Sequence, residues 1–430
     1  MRWKILSLVL FGSILNTQAQ GQELETALFE LPDVVFKAID TPDGYEAAYE
    51  LHIKQPIDHN NPDKGYFYQR AFLSHRGFDR PTVICTEGYT RSRNRIYELT
   101  NLISGNQIDV EHRYFGTSMP KEEDFDYQYL NLEQATADLH HINQLFRQIY
   151  SGKWLSTGIS KGGQTTIFYR YFYPEDVDVS VPYVAPLNLA LEETRIYTFL
   201  DSVGTDACRT ALYEVQRTVL ENREEVLPKL RWYAKGAGLE FEYLGFEEAF
   251  EYAVLEYPFA FWQLGGKCAE VPDKAAGVDA ALEHLMAASG VELFCDASME
   301  AYASHYYQAG SEMGYYSYET EDFAGLLKAL PMEPNPSAIF MPGKMPKTFD
   351  GKLVNEVAEW LPANGDRFIY INGDSDTWSA TAVRPTEGVD ALWFFMPGKD
   401  HGRARIRNMS AAERAELVSA LERWLEMEIE

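Results

Sequence analysis

The sequence predicts an α/β fold: a sheet with crossover helices that is interrupted by a mainly helical insertion and then completed. Three observations carry this. Short apolar runs alternate with helical periods from about Tyr45 to Val184, the signature of a parallel sheet. From about Ala190 to Met345 the text turns helical and acidic. Strand-like runs then resume at Arg367 to Asn372 and at Ala391 to Met396, and a closing helix begins near Ala411.

In chain order, the first segment reads as a secretory signal. Arg2 and Lys4 supply its positive start, Ile5 to Leu15 its apolar run, and Thr17 and Ala19 a small-residue cleavage site, so the mature chain is expected to begin near Gln20. The apolar run is broken at Gly12, Ser13 and Asn16 and falls short of the ~20 residues that a spanning helix needs. The expectation is therefore a secreted or periplasmic protein with no membrane partner after cleavage. The boundaries implied are a signal over 1–19, the first part of the core over 20–190, the helical insertion over 191–345 and the second part of the core over 346–430.

Within the core, Thr82 to Thr86, Gln107 to Glu111 and Lys153 to Thr157 have strand length. Between the last two, Leu132, Ala135, Leu139, Ile142, Phe146 and Ile149 recur at three- and four-residue steps, which predicts a helix burying one face. In the insertion, amphipathic segments run around Arg209 to Leu230 and Ala275 to Ala288. Ser410 and Glu413 form a capping box for the last helix, whose buried face is Leu417, Leu421, Trp424 and Leu425.

Composition narrows the function. The formal charge of −27 on 430 residues argues against a nucleic-acid partner, because such affinity comes from Lys and Arg neutralising phosphates. No cofactor or metal is expected: there is no CxxC or HExxH, and the adjacent His140 and His141 would point about 100° apart on a helix. Of four cysteines, Cys85 lies inside an apolar strand and reads as a buried thiol. Two of Cys208, Cys268 and Cys295 are available to pair.

The sharpest motif is Gly158-Ile159-Ser160-Lys161-Gly162, a G-x-S-x-G placed directly after one strand and directly before the helical Gln164 to Tyr171. At such a turn a serine is held with its hydroxyl exposed. A hydroxyl is a weak nucleophile until a base takes its proton and a carboxylate orients that base. With this motif the layout is that of a capped α/β-hydrolase, where the chain order is Ser, then acid, then His. His401 is the histidine that follows the insertion, on the short loop after Ala391 to Met396. The acid is expected after the preceding strand, where Asp374 and Asp376 are both available. Asp400, next to the base, is expected to point away into solvent. The oxyanion hole would take one N–H from Lys161 and one from Gly88 or Tyr89, on the loop after Thr82 to Thr86.

At these residues the chain resembles the secreted serine tripeptidyl aminopeptidases, related to the Pro-X carboxypeptidase and dipeptidyl peptidase group. The matching segments include QPIDHNNPDKGYFYQR (Gln55 to Arg70), DVEHRYFGTS (Asp109 to Ser118), STGISKGGQT (Ser156 to Thr165), FYPEDVDVSVPYVAPLN (Phe172 to Asn188) and NGDSDTWS (Asn372 to Ser379). The resemblance places the family's serine on Ser160, its acid on Asp376 and its histidine on His401, and it implies release of short peptides from free N-termini. The family often has Asp-Pro-Trp where this chain has Asp376-Thr377-Trp378, and an apolar residue where it has Gln164.

A substrate α-ammonium taken out of water needs a paired carboxylate. The candidates are Glu87, beside the oxyanion loop, and Glu312, in the segment Gln308 to Tyr316 that also matches the relatives. Glu111 reads instead as an internal ion pair. A lipase or carboxylesterase would use the same triad, but no His-Gly-Gly follows Thr82 to Thr86, and Tyr302 to Tyr318 is polar and tyrosine-rich rather than a greasy lid. A Pro-specific di- or carboxypeptidase is the other alternative. Oligomeric state has no signature in the sequence.

Overall fold

Residues 22–331, 340–344 and 348–429 are described by a computed structural model, so the expected signal segment lies outside the described residues. Among the described residues nine strands form one sheet in the order β1-β2-β3-β5-β4-β6-β7-β8-β9. The strands are β1 (Val34–Ala38), β2 (Ala47–Pro56), β3 (Tyr66–His75), β4 (Thr82–Thr86), β5 (Asn106–Val110), β6 (Trp154–Ile159), β7 (Val179–Tyr183), β8 (Ile369–Gly373) and β9 (Leu392–Met396). From β5 to β9 the pairing is parallel, as the alternation of strands and helices predicts.

The sheet begins differently from expectation. β1, β2 and β3 pair antiparallel, and β3 joins the parallel part through an antiparallel contact with β5. The reason is local: β2 and β3 are joined by a short connection without a crossover helix, which permits only a hairpin. The inward and outward alternation of β2, buried at every second residue from Leu51 to Gln55, is the mark of a sheet with one wetter face.

Residues 22–30 form α1; α2 is Glu98–Leu102, α3 Leu132–Phe146 and α4 Lys161–Phe172. The expected helix over Leu132 to Phe146 is present, and Ile149 lies beyond it in a turn. Alternate residues of β4 feed opposite faces of the sheet: Val83 and Cys85 pack with Val181, Ile371, Leu417 and Leu421, whereas Ile84 packs with Leu139, Ile142 and Phe146.

Between β7 and β8 come α5 (Arg195–Leu200), α6 (Asp206–Glu221), α7 (Arg223–Ala237), α8 (Phe246–Gln263), α9 (Gly277–Ser289), α10 (Asp296–Ala301) and α11 (Ala303–Gln308), the last running into a π-turn over Ala309–Met313. These helices bury a core of their own, with Leu212, Val215, Phe250, Tyr252, Leu285 and Phe294 at its centre. The single amphipathic stretch expected at Arg209 to Leu230 is two helices that meet at Asn222. Cys208 pairs with Cys268, which ties the end of the α8 loop to α6, while Cys85 and Cys295 are buried and free. The chain returns through α12 (Lys352–Asn364), which packs Val354, Val357 and Leu361 on Ile167 and Phe168 of α4. It ends in α13 (Ala411–Leu425), whose Ser410 and Glu413 make both bonds of the capping box. This is the α/β-hydrolase arrangement, and it brings the C-terminal ends of β4, β6, β8 and β9 along one edge beneath the inserted helices.

Candidate active site

Ser160 occupies the turn between β6 and α4 at φ 58° and ψ −124°, a left-handed conformation that costs a non-glycine residue of order 1–3 kcal/mol. Its neighbours hold it there. The Ser160 N–H donates to Tyr183 O at 2.9 Å, and Ser160 O accepts from Gln164 N at 2.9 Å. The turn is this tight because Gly158 and Gly162 leave no room for a side chain: a Cβ on either would meet the carbonyl oxygen of Thr86. Thr86 clamps the same corner, its hydroxyl lying 2.7 Å from Gly162 O and 2.6 Å from the Thr166 hydroxyl.

His401 and Asp376 come together from the loops after β9 and β8. His401 Nδ1 stands 2.8 Å from Asp376 Oδ2. The contact suits a tautomer in which Nδ1 donates to the carboxylate, and in that neutral tautomer Nε2 carries the lone pair. Asp376 is fully buried and is also held by the Trp378 N–H at 3.2 Å. Asp374 faces elsewhere, accepting from the Ser375 hydroxyl at 2.9 Å and from Gly398 N at 2.7 Å, and so fastens the β8 loop to the β9 loop. Asp400 departs from expectation. It is buried rather than solvated, because its carboxylate caps the turn by accepting from the N–H groups of Gly402 and Arg403 at 2.8 and 3.0 Å.

The loop after β4, expected to supply an oxyanion donor, lies against the elbow. Lys161 is buried, and its ammonium donates to Gly88 O at 2.7 Å while standing 4.9 Å from the centroid of Phe115 and 5.4 Å from that of Tyr89. Burial pushes its pKa down to about 7, partly offset by the Glu312 carboxylate. The side chain of Lys161 therefore fixes the Gly88 peptide while its backbone opens the first turn of α4.

Helix α8 of the insertion reaches both loops of the pair. Thr377 Oγ1 donates to Phe259 O at 2.9 Å, and His401 N donates to Gln263 O at 3.2 Å. Between α8, α11 and the elbow lies a cavity of about 360 Å³ whose wall includes Ser160 and Tyr89 from the sheet side. The lining also includes Tyr302, Tyr306, Tyr315, Tyr316 and Tyr318, from the tyrosine-rich segment noted in the sequence. Phe259 stacks on Tyr316 with centroids 3.9 Å apart, and Trp378 meets Phe259 edge-on at 5.1 Å.

The two acids singled out for the substrate's ammonium are not part of this cavity's lining. Glu87 is engaged by Arg91, Arg95 and the Tyr97 hydroxyl. Glu312 accepts the Leu132 N–H at 2.7 Å at the start of α3. Glu111 is the internal ion pair expected of it, 2.5 Å from Arg70. The acid in the cavity wall is Glu256, which sequence reasoning passed over. It is 6% exposed, and its carboxylate takes the Tyr316 hydroxyl at 2.9 Å from both oxygens and the Tyr318 hydroxyl at 2.8 Å. A signal was present: it is an acid in the run Ala253 to Phe261 of α8, where nearly every neighbour is apolar.

With this geometry in hand, the chain can be set beside known proteins. The family described as PS-10 peptidase S37 matches residues 20–427. Over 414 residues, 94% of this chain and 86% of the other, the sequence is 33% identical to the prolyl tri/tetrapeptidyl aminopeptidase of Streptomyces mobaraensis. The serine protease vicPb of Bipolaris victoriae is 34% identical over 103 residues, 21% of this chain and 19% of that protein. Among solved structures, the proline iminopeptidase of Mycobacterium smegmatis aligns at a TM-score of 0.41 and 12% identity, covering 87% of this chain and 97% of its own.

Proposed function

The chain belongs to the PS-10 peptidase S37 family, and from that membership we propose that this serine peptidase is a tripeptidyl aminopeptidase, exported through its N-terminal segment, with Ser160, His401 and Asp376 as its triad. The observation that carries the triad is the 2.8 Å contact of His401 with the buried Asp376, in a chain whose Ser160 sits strained at the head of α4.

In this reading His401 Nε2 takes the proton of Ser160 as Oγ attacks the carbonyl carbon of the scissile peptide. The carbonyl electrons move to oxygen, where the N–H of Lys161 and that of Gly88 or Tyr89 receive the negative charge. Collapse breaks the C–N bond, His401 returns the proton to the leaving amine, and the N-terminal fragment remains as an ester on Ser160. Water, deprotonated in turn by His401, then releases it. Asp376 keeps the imidazole in the required tautomer throughout.

A cavity of about 360 Å³ under the inserted helices suits a short extended peptide rather than a folded chain. Its aromatic wall offers flat apolar surface to a ring such as proline, the residue in the name of the Streptomyces relative. The test is mass-spectrometric sequencing of products from a peptide library. Tripeptides released successively from free N-termini are expected; internal fragments, or single residues lost from C-termini, would overturn the reading.

A further inference from the structure

We propose that Glu256, on the insertion side of the cavity, is the residue that receives the α-ammonium of the substrate and thereby sets the register of cleavage; this rests on the aminopeptidase reading above. Three observations carry it. Glu256, on α8, lines the same cavity as Ser160. Its carboxylate is held in place by the hydroxyls of Tyr316 and Tyr318, so its position is fixed before substrate arrives. Among the described residues no lysine, arginine or histidine is paired with it.

Neutral hydroxyls orient a carboxylate without cancelling its charge. Burial raises the pKa of Glu256 to about 7, and the two tyrosine bonds pull it only part of the way back. A buried carboxylate in that condition gains most from a cation that enters with its own donors, and a peptide's N-terminal ammonium brings up to three. An acetylated N-terminus brings none and would leave the carboxylate buried and unanswered. The separation between Glu256 and Ser160 would then act as a ruler for how many residues lie before the scissile bond.

The test compares kcat/KM on a tripeptide amide with a free N-terminus and on its acetylated twin, in the wild type, in Glu256→Gln and across pH. The free-to-acetylated ratio cancels contributions, such as ionisation of His401, that both substrates share. A wild-type ratio of about a hundredfold or more is expected, falling by a similar factor in Glu256→Gln. The groups facing Glu256 from the neighbouring elements are Tyr306 on α11 and Tyr315, Tyr316 and Tyr318 beyond the π-turn, all pushed above the usual tyrosine range, and the same cavity is lined by His305, held down to about 3 by burial. Across neutral pH the wall acid that changes charge is thus Glu256. The wild-type ratio is expected to rise as pH passes upward through about 7 and to fall above ~8 as the substrate's amine loses its proton. Lys161 titrates near 7 as well, but it is unchanged in Glu256→Gln, so a rise that survives the substitution would belong to Lys161 and overturn the proposal. A ratio equal to that of wild type in Glu256→Gln would overturn it too, while leaving the aminopeptidase reading intact. Equal cleavage of the two substrates by the wild type would overturn both. Should Glu256→Gln fail to fold, Tyr316→Phe and Tyr318→Phe, which remove the hydroxyls that hold the carboxylate, take its place, and a free-to-acetylated ratio equal to that of wild type in both would overturn the proposal.

Discussion

The buried acids of the sheet and those of the cavity wall are treated in opposite ways. In the core, Asp138 receives Arg113 through two bonds of 2.7 and 2.8 Å together with His59 Nε2 at 2.7 Å, and Glu111 receives Arg70 at 2.5 Å. Helix α8 repeats the core's solution once: Glu251 takes Arg223 Nη1 at 2.5 Å and the N–H groups of Ala329 and Leu330 at 3.0 and 2.8 Å. Five residues further along the same helix, Glu256 has tyrosine hydroxyls instead. An acid that holds structure is answered by a cation from within the protein, since an unanswered buried charge costs several kcal/mol. An acid left at a cavity wall with only neutral donors is prepared for a cation from outside.

The largest effects belong on the sheet side. Ser160→Ala or His401→Ala is expected to lower kcat by roughly a millionfold, as in triads that act as a unit. Asp376→Asn should cost on the order of ten-thousandfold. Asp374→Asn should cost far less, since Asp374 braces the loop by accepting from Gly398 N rather than facing the imidazole. Steady-state rates with circular dichroism as a folding control decide this. A serine variant retaining a few per cent of activity, or Asp374→Asn falling below Asp376→Asn, would move the chemistry to other residues.

An intermediate effect separates the two acids of α8. Glu251→Gln removes one of the two carboxylates on Arg223, Glu247 being the other, and is expected to destabilise the protein by about 2 kcal/mol, read from denaturant unfolding. Its free-to-acetylated substrate ratio should stay at the wild-type value. If Glu251→Gln altered that ratio as strongly as Glu256→Gln, the contrast between a structural and a substrate-facing acid would fail.

The same contrast explains which parts of the site were legible in the sequence. The elbow, His401 and the pair Asp374 and Asp376 each lie within a few residues of a strand end, so strand, glycine and loop announce them in one short window. The helices α3 and α13 showed their buried faces by periodicity. Glu256 has no such window. Helix α8 is buried almost all round, from Ala249 to Trp262, so periodicity does not distinguish the acid that meets Arg223 from the one that meets two tyrosines. That distinction is made by residues far away in the chain, 223 for the first and 316 and 318 for the second. Glu87 is a candidate by its place beside the expected oxyanion loop and Glu312 by its place in a segment that matches the resembling family, and folding gives each a partner that neither window shows: Arg91 and Arg95 for one, the first N–H of α3 for the other. Asp400 is buried against expectation because the turn it caps closes only once the loop is formed.

The smallest expected effect lies at the seam between the two regions. Thr377 stands where the resembling family often has proline, and its hydroxyl donates to Phe259 O of α8, a bond that joins the loop of Asp376 to the insertion. Thr377→Val removes that donor while keeping the shape, and should lower stability by about 1 kcal/mol. Thr377→Pro loses the same bond, yet the backbone is suited to proline. Thr377 is the first residue of the turn Thr377–Thr381, where an N–H has no partner within the turn, and Asp376 before it is extended at φ −81° and ψ 124°, as a residue preceding proline must be. The stiffer unfolded chain should return some of the loss, typically ~0.4–1 kcal/mol. Thr377→Pro is therefore expected to melt at or above Thr377→Val, with kcat/KM within a few-fold of wild type in both. Differential scanning calorimetry ranks them. A Thr377→Pro protein that melted well below Thr377→Val would mean that this loop cannot accept the family's residue, and that the hydroxyl bond to α8 is required to hold Asp376 against His401.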